Sequence, residues 1–216
     1  MRDGSLDPKR IVRTGYDTIS EAYRPDTLDL GGTWYATALD ALDHFLPTGS
    51  RVLDLGCGCG VPIAQRLART HTVTGVDISD RQIQRARTLV PEASFVRADM
   101  TSLDLPRHAF DAIVSFYAVI HVPLEEQPAL FDAFVRWLTP DGLLCVIVGN
   151  TAGTGTEDDW YGAPMYWSHG DRNSYASLFE ARGFDVVDEW FIPEGDGGHI
   201  AFLARSTGSD GVGTRR

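Results

Sequence analysis

The sequence predicts an α/β protein with a parallel sheet covered by helices on both faces. From Arg51 onward, short apolar segments alternate with helical patterns. The first segment leads into a glycine-rich loop, and acidic residues end the next two. Ligands of such sheets bind outside the carboxyl ends of the strands, so we expect a binding site at that edge.

The composition is that of an ordinary globular protein. The 216 residues are 43% hydrophobic and 23% charged, with a net charge of −11. This acidity disfavours a nucleic-acid partner, because affinity for nucleic acid depends on basic contacts. No apolar run is long enough to span a bilayer, and the N-terminus has no signal-peptide core. The absence of such an apolar run predicts no membrane partner. The three cysteines lack zinc-ligand spacing, so we expect no metal. Cysteines of this kind are typical of a reducing compartment, so we expect a cytoplasmic protein.

Two helices are predicted before the first strand. Apolar spacing predicts one from about Leu6 to Tyr23, weakened at Gly15 and so divisible into two short pieces, and another over residues 29–45. Tyr16 and Tyr23 are seven residues apart and therefore share one face of a continuous helix. That face either packs onto the core or contacts a ligand.

The glycine loop is the most informative stretch of the chain. Residues 52–60 have the sequence VLDLGCGCG, in which an apolar strand ends in alternate glycines. Glycine adopts backbone angles closed to other residues, so the loop can press its N–H groups against a ligand. A predicted helix over 61–69 adds unpaired donors. Val61 stands where the dinucleotide-binding fingerprint has its third glycine, so the match to that fingerprint is incomplete.

Acidic residues end the second and third predicted strands. Asp77 follows the strand over 72–76, about 20 residues beyond the loop, where a carboxylate can accept hydrogen bonds from ribose hydroxyls. It could instead cap the helix over 81–89, which Ser79 or Asp80 can also do. Asp99 ends the third strand and, taken alone, is equally compatible with a cap or turn.

The loop resembles the motif hydrophobic-Leu-Asp-Leu-Gly-Cys-Gly-x-Gly of class I S-adenosylmethionine (SAM) dependent methyltransferases. The ordered acids Asp54, Asp77 and Asp99 extend this resemblance over most of residues 51–205. It implies a Rossmann-like, seven-stranded, mostly parallel sheet with an antiparallel last strand. It also implies SAM as cofactor, S-adenosylhomocysteine (SAH) as product, and no metal. We expect one domain over residues 1–205, with a helical lid over 1–48, and a disordered tail over 206–216.

The resemblance also implies which residues hold the cofactor. In the family, an acid at the place of Asp99 accepts a hydrogen bond from the adenine amino group. The residue after it, here Met100, contacts the adenine ring. The turn over 115–117 would lie beside the methionine part of SAM. The implied cofactor residues are Asp54, Gly56, Gly58, Asp77, Ile78, Asp99, Met100, Ser115 and Phe116.

An aromatic segment over 160–169 leaves the carboxyl edge of the sheet, where connecting segments carry function. Aromatic side chains are typical of ligand pockets, although these rings could instead cap the sheet. Residues 15–23 resemble the start of many small-molecule methyltransferases, and 110–121 resemble the family segment that ends in histidine. The predicted substrate residues are Tyr16, Tyr23, Tyr117, Tyr166, Trp167 and His169; the candidate catalytic residues are His121, His169 and Tyr16, with His199 as a further histidine.

The expected function is methyl transfer from SAM to a small molecule. An oxygen nucleophile is favoured, because several histidines are available to accept a hydroxyl proton. Nitrogen, sulfur and carbon acceptors stay open, because fold does not settle function. An NAD(P)-dependent oxidoreductase would share the loop and Asp77 but leaves Asp99 unexplained. The sequence also leaves open a nucleic-acid methyltransferase, a SAM-binding module without catalysis, and the oligomeric state.

Overall fold

A computed structural model of the protein describes residues 7–208, which form a seven-stranded sheet, a two-stranded hairpin and flanking helices. The helices of this part are α1 Pro8–Tyr23, α2 Trp34–Phe45, α3 Ile63–Leu67, α4 Asp80–Leu89, α5 Gln127–Trp137 and α6 Arg172–Glu180. The strands are β1 Arg51–Leu55, β2 Thr72–Asp77, β3 Ser94–Arg97, β4 Phe110–Phe116, β5 Leu138–Gly149, β6 Gly153–Trp160, β7 Ala163–His169, β8 Phe184–Glu194 and β9 Gly197–Ser206. No helix in this range is long and apolar enough to cross a membrane.

The order of the strands in the large sheet is β3-β2-β1-β4-β5-β9-β8. β1 to β5 pair in parallel, whereas β9 runs antiparallel to both of its neighbours. The predicted fold class is therefore confirmed. The chain order reverses between β1 and β4, which opens a crevice at their carboxyl ends.

Helices cover both faces of the sheet because the central strands are apolar on both sides. Val52 packs with α2, α3 and α4 on one face, and the next residue, Leu53, packs with α5 and α6 on the other. Neither side chain is exposed. Burial on both faces is the usual state of parallel strands.

Helix α1 is one continuous helix rather than two pieces. Asp7 caps it by accepting a hydrogen bond from the Lys9 N–H, 3.1 Å long, and the predicted start at Leu6 lies outside the described residues. Gly15 lets α1 approach β7 closely, because a Cβ at this position would lie 2.8 Å from both Met165 Cε and Pro164 O. The glycine that weakens the predicted helix is thus a packing requirement.

The hairpin of β6 and β7 is the largest departure from the prediction, which assigned no strand to the aromatic segment over 160–169. Tyr161 and Gly162 form its two-residue turn with φ values of 56° and 96°, as a tight hairpin of this kind requires. Most of β6 is exposed. It therefore lacks the apolar alternation that marks a half-buried strand in a sequence.

Several boundaries also shift by a few residues. Thr33 caps α2, so this helix begins at Trp34 rather than at residue 29. α3 is shorter than the helix predicted over 61–69. Ser206 is buried at the end of β9, which corrects the start of the predicted tail. Residues 209–216 of that tail lie outside the described residues.

Candidate functional site

The glycine loop lies at the carboxyl end of β1, in the crevice. Gly56 and Gly58 have φ values of 75° and 54°, in the left-handed region that side chains disfavour. A Cβ at Gly56 would lie 2.1 Å from the Ala118 Cβ. The loop therefore holds Ala118, just beyond β4, at a distance that only glycine permits.

The loop forms one wall of a first cavity, which has about 700 Å³ of empty space, part of it open to solvent. Most of the predicted cofactor residues line it: Gly56, Gly58, Asp77, Ile78, Asp99, Met100 and Phe116. α1 closes the cavity with Lys9, Val12, Tyr16 and Tyr23. The predicted lid thus contributes through its first helix.

Asp77 lines this cavity with both carboxylate oxygens anchored to the backbone. Oδ2 accepts from the Gly58 N–H at 2.9 Å, and Oδ1 accepts from the Ser79 N–H at 2.8 Å. Burial raises the pKa of Asp77 to about 6 against the opposing effect of these hydrogen bonds. Ser79 caps α4, which is one of the two caps that the sequence allowed besides Asp77. A carboxylate has about four lone-pair sites, so Asp77 can accept further hydrogen bonds.

Asp99 caps a turn and also forms an ion pair at the cavity. Its Oδ1 caps the turn Met100–Ser102 by accepting from Thr101, and its Oδ2 lies 3.0 Å from Lys9 Nζ. Burial works to raise the pKa of Asp99, but the bonds from Thr101 and Lys9 hold it below its usual value. Lys9 also pairs with Glu126, and so it ties α1 to the cavity wall.

Two predicted cofactor residues, Asp54 and Ser115, do not line the cavity. The Ser115 hydroxyl donates to the Leu55 carbonyl at 2.9 Å, inside the sheet, so this hydroxyl is already engaged away from the cavity. Asp54 is buried beneath the loop, and its Oδ2 has no hydrogen-bond partner within residues 7–208. Burial, followed by the nearby charge of Asp77, raises the pKa of Asp54 to about 8.

Tyr16 and His121 form a hydrogen-bonded pair at the cavity. His121 Nδ1 lies 2.7 Å from the Tyr166 carbonyl oxygen, which can only accept, so Nδ1 carries a proton. Burial lowers the pKa of His121 to about 4, against the effect of the Tyr166 bond. The ring is therefore neutral at pH 7, and Nε2 accepts from the Tyr16 hydroxyl at 2.9 Å.

Aromatic rings surround this pair. His121 lies 4.5 Å from Trp167 between ring centroids, and Tyr16 lies 5.8 Å from Trp160. Tyr23 completes the group, 5.0 Å from Trp160. The hairpin thus supplies two rings to the group and the carbonyl that fixes the histidine tautomer.

A second cavity adjoins the first, and the two share Tyr16, Tyr23, Tyr117 and His121. Its other lining residues are Arg24, Tyr35, Ile120, Trp160, Tyr161, Trp167, Glu194 and His199. His199 Nδ1 lies 3.3 Å from Glu194 Oε2, without hydrogen-bond geometry. Burial and then the Glu194 charge raise the pKa of Tyr117.

The sequence analysis missed three residues of this second cavity, Arg24, Tyr35 and Glu194. Arg24 directly follows Tyr23 in the chain, but no local feature of the sequence marks Glu194.

His169 and Tyr166 are placed differently from the prediction. His169 packs over Gly149, with its Nδ1 2.6 Å from the Thr151 carbonyl oxygen, and lines neither cavity. Tyr166 contributes its carbonyl rather than its ring. His169 and the Tyr166 ring therefore lie outside both cavities, and their predicted roles stay predictions that this geometry does not favour.

Comparison with known proteins identifies the family. A family model described as "Methyltransferase domain" matches residues 52–142, which include the glycine loop, Asp77 and Asp99. The chain carries a class I SAM-dependent methyltransferase domain.

Solved structures share the fold of this methyltransferase domain. Magnesium protoporphyrin IX methyltransferase from Synechocystis PCC 6803, with bound SAH, has a TM-score of 0.70 at 18% identity, covering 93% of this chain and 100% of that one. The 1,6-didemethyltoxoflavin-N1-methyltransferase of Burkholderia thailandensis scores 0.71 at 20% identity, with coverage of 96% and 93%. The [4+2]-cyclase SpnF scores 0.70 at 20% identity, covering 94% and 97%. At such identities the likeness shows the fold alone.

Two of the curated relatives are longer than this chain. Phosphoethanolamine N-methyltransferase 1 of Triticum aestivum is 33% identical over 196 residues, which are 85% of this chain and 38% of the relative. Sterol 24-C-methyltransferase of Pneumocystis carinii is 34% identical over 110 residues, 48% of this chain and 29% of the relative. The chain thus spans well under half the length of these two relatives, which differ in the atom they methylate.

Proposed function

We propose that the protein transfers a methyl group from SAM to a small-molecule acceptor, with an oxygen nucleophile as the favoured acceptor atom. The observation that carries this proposal is the pair of adjoining cavities at the switch point of the sheet. One has the glycine loop and two strand-end carboxylates, and the other has aromatic walls. Tyr16 and His121 line both, where the two reactants would meet.

The residues of the first cavity fit SAM. Gly56 and Gly58 leave a wall without side chains against which the cofactor can lie. Asp77 has lone pairs available for the ribose hydroxyls, and Asp99 lies on the neighbouring strand end, at the place for the adenine. The unpaired Asp54 Oδ2 beneath the loop is a further hydrogen-bonding atom for a polar group or an ordered water.

When bound, SAM supplies the electrophilic methyl group, and the protein supplies orientation and exclusion of water. Alignment of two bound reactants is worth about 7–11 kcal/mol, against about 3–5 kcal/mol for a general base. Three aromatic rings pack against one another, edge to face or tilted, where the cofactor and the acceptor would meet: Tyr16, Tyr23 and Trp160. Their packing serves to keep water away from this meeting point.

The Tyr16–His121 pair supports an acceptor that arrives protonated. The neutral His121 Nε2 can take the Tyr16 proton while the Tyr16 oxygen takes a proton from the acceptor hydroxyl. This relay leaves the acceptor oxygen with the lone pair that attacks the methyl group. Proton transfer to a positioned base contributes about a hundredfold to ten-thousandfold to a rate, and the low pKa of His121 places this relay at the lower end of that range.

A nitrogen acceptor is the second candidate. Cationic amines bind over aromatic rings, and the second cavity combines several rings with the Glu194 carboxylate. A relative of this chain is named for N-methylation of phosphoethanolamine. The oxygen assignment is tested by analysing which atom of an accepted aminophenol is methylated.

Cofactor binding tests the proposal directly. Asp77→Asn removes a charge-assisted acceptor, which is worth about 1.5–3 kcal/mol, so we expect SAM affinity to fall roughly ten- to hundredfold in titration calorimetry. Asp80→Asn is the matched control, since its largely exposed carboxylate lies on α4 and lines neither cavity. Tighter binding of NAD than of SAM, or unchanged SAM affinity in Asp77→Asn, would contradict it.

A further inference from the structure

We propose that Arg24 binds an oxyanion of the acceptor, so that the substrate is a small molecule carrying a carboxylate or phosphate group. The proposal rests on the proposed function, because it describes the acceptor side of the same site. It concerns the second cavity, which Arg24 lines together with Tyr23 and Tyr35.

Arg24 is held in place by aromatic side chains. It is the C-cap of α1, with φ −136° and ψ 117°, so the chain leaves the helix at this residue. Its guanidinium lies over the rings of Tyr23 and Tyr35, 5.0 and 5.3 Å from their centroids. Nη2 donates to the Tyr35 hydroxyl at 2.9 Å, with a longer contact to Tyr23. This packing pre-orients the group without neutralising it.

Within residues 7–208, Arg24 has no carboxylate within ion-pairing distance. The acid nearest in sequence, Asp26, pairs instead with Arg85 at 2.7 Å. By contrast, Arg51 and Arg172 each pair with a carboxylate. Nη1 and Nε of Arg24 make no hydrogen bond in the described part of the chain, so these donors are available. A guanidinium presents its donors in a fork that matches carboxylate and phosphate oxygens.

The charges of the cavity favour an anion beside Arg24. Glu194 is the carboxylate that lines the same cavity, and it lies beside His199 and Tyr117. The carboxylate of the cavity therefore has His199 and Tyr117 beside it, whereas the neighbours of Arg24 are the neutral phenols of Tyr23 and Tyr35. Because Arg24 lines the cavity without a carboxylate partner, its charge is available to a ligand.

The position of Arg24 also limits the size of the acceptor. The Tyr16 and Tyr23 ring centroids are 5.4 Å apart, and the Arg24 guanidinium lies 5.0 Å from the Tyr23 centroid, so the Tyr16 ring and the guanidinium are at most about 10 Å apart. Both side chains line the second cavity. A molecule of one ring, with its nucleophile at Tyr16 and its oxyanion at Arg24, matches this separation.

Binding of matched probes tests the proposal without requiring turnover. The protein, saturated with SAH, is titrated by calorimetry with 4-hydroxybenzoate and its neutral analogue 4-hydroxybenzamide, and with phosphoethanolamine and ethanolamine. We expect at least one anionic member to bind tenfold to a hundredfold more tightly than its partner. Arg24→Gln should abolish that difference, and Arg24→Lys should retain part of it.

Two controls separate the possible failures. Arg81→Gln removes an exposed arginine of α4 that lines neither of the two cavities and should keep the preference. SAH affinity and melting temperature, measured on every variant, report folding and the proposed function independently. If SAH binds but neither anionic probe binds better than its partner without the oxyanion, or if Arg24→Gln keeps the preference, the proposal is overturned. If SAH itself fails to bind, the proposed function fails, and this inference fails with it.

Discussion

Burial determines which protons the site can move. It lowers the pKa of His121 to about 4 and raises the pKa of Tyr16 well above its usual value. At neutral pH the imidazole is therefore unprotonated and the phenol protonated, which is the state needed to pass a proton from an acceptor to Nε2. The protein can keep this state over a wide pH range, because both pKa values lie far from 7.

Tyr16→Phe tests this relay. The variant keeps the ring against Tyr23 and Trp160 but removes the hydroxyl that donates to His121. We expect kcat to fall by about a hundredfold with SAM affinity unchanged. Tyr175→Phe removes a buried hydrogen-bonded phenol that lines neither cavity, so its kcat should stay near that of the wild type. Equal kcat values for Tyr16→Phe and wild type would exclude the relay.

The raised pKa of Asp54 predicts a pH dependence of stability. Between about pH 4 and pH 8 the unfolded chain has lost the Asp54 proton while the folded protein retains it, so the free energy of unfolding falls as pH rises. Asp54→Asn removes this loss. In urea titrations without ligand, the variant should gain stability relative to wild type by up to about 1.4 kcal/mol per pH unit. Parallel stability profiles would contradict the prediction.

At the scale of elements, the hairpin and α1 together build the acceptor side of the site. β7 packs against α1, and Met165 at their contact is fully buried. The same hairpin supplies Trp160 and Trp167, while α1 supplies Tyr16 and Tyr23. The geometry of the second cavity therefore depends on how closely these two elements approach.

Gly15→Ala tests this contact. In an unconstrained helix the change would stabilise by about 1 kcal/mol, but here the new Cβ would meet Met165 and the Pro164 carbonyl. We expect a net loss of about 1–3 kcal/mol in the free energy of unfolding, since such overpacking forces neighbours to move. Gly155→Ala on β6 is the control, because its Cβ would meet nothing within 4 Å. A stabilised Gly15→Ala variant would show that the contact is loose.

At the scale of the whole molecule, the site joins elements from distant parts of the chain. The switch point between β1 and β4 places the glycine loop beside Ala118. Lys9 then links α1 to Asp99 and Glu126 across the first cavity. A ligand in this cavity would contact both the sheet and the lid helix, so its binding should stabilise the entire fold.

SAH should therefore raise the melting temperature. At a concentration of 100 times Kd, binding stabilises the folded state by about 2.7 kcal/mol, which corresponds to roughly 5–10 °C for a domain of this size. The shift should shrink in Asp77→Asn at the same SAH concentration. Thermal unfolding followed by circular dichroism measures both. A shift of equal size with NAD in place of SAH would contradict the assignment of the cavity.

The sequence by itself determined the cofactor side of the molecule. The glycine loop and the acids Asp54, Asp77 and Asp99 are local features, because each lies at the end of one strand and needs only that strand and its turn. The conformational freedom of glycine and the capping ability of Ser79 act over a few residues. The fold class could therefore be predicted from the order of these features.

The acceptor side was decided by the tertiary structure. Tyr16 and His121 are 105 residues apart, and neither local pattern shows that the two side chains meet. Folding buries His121 on the Tyr166 carbonyl and turns His169 away onto Gly149. Arg24 and Glu194 likewise line the same cavity, although they lie near opposite ends of the chain. Burial, protonation state and charge pairing depend on such long-range packing, which no local pattern encodes.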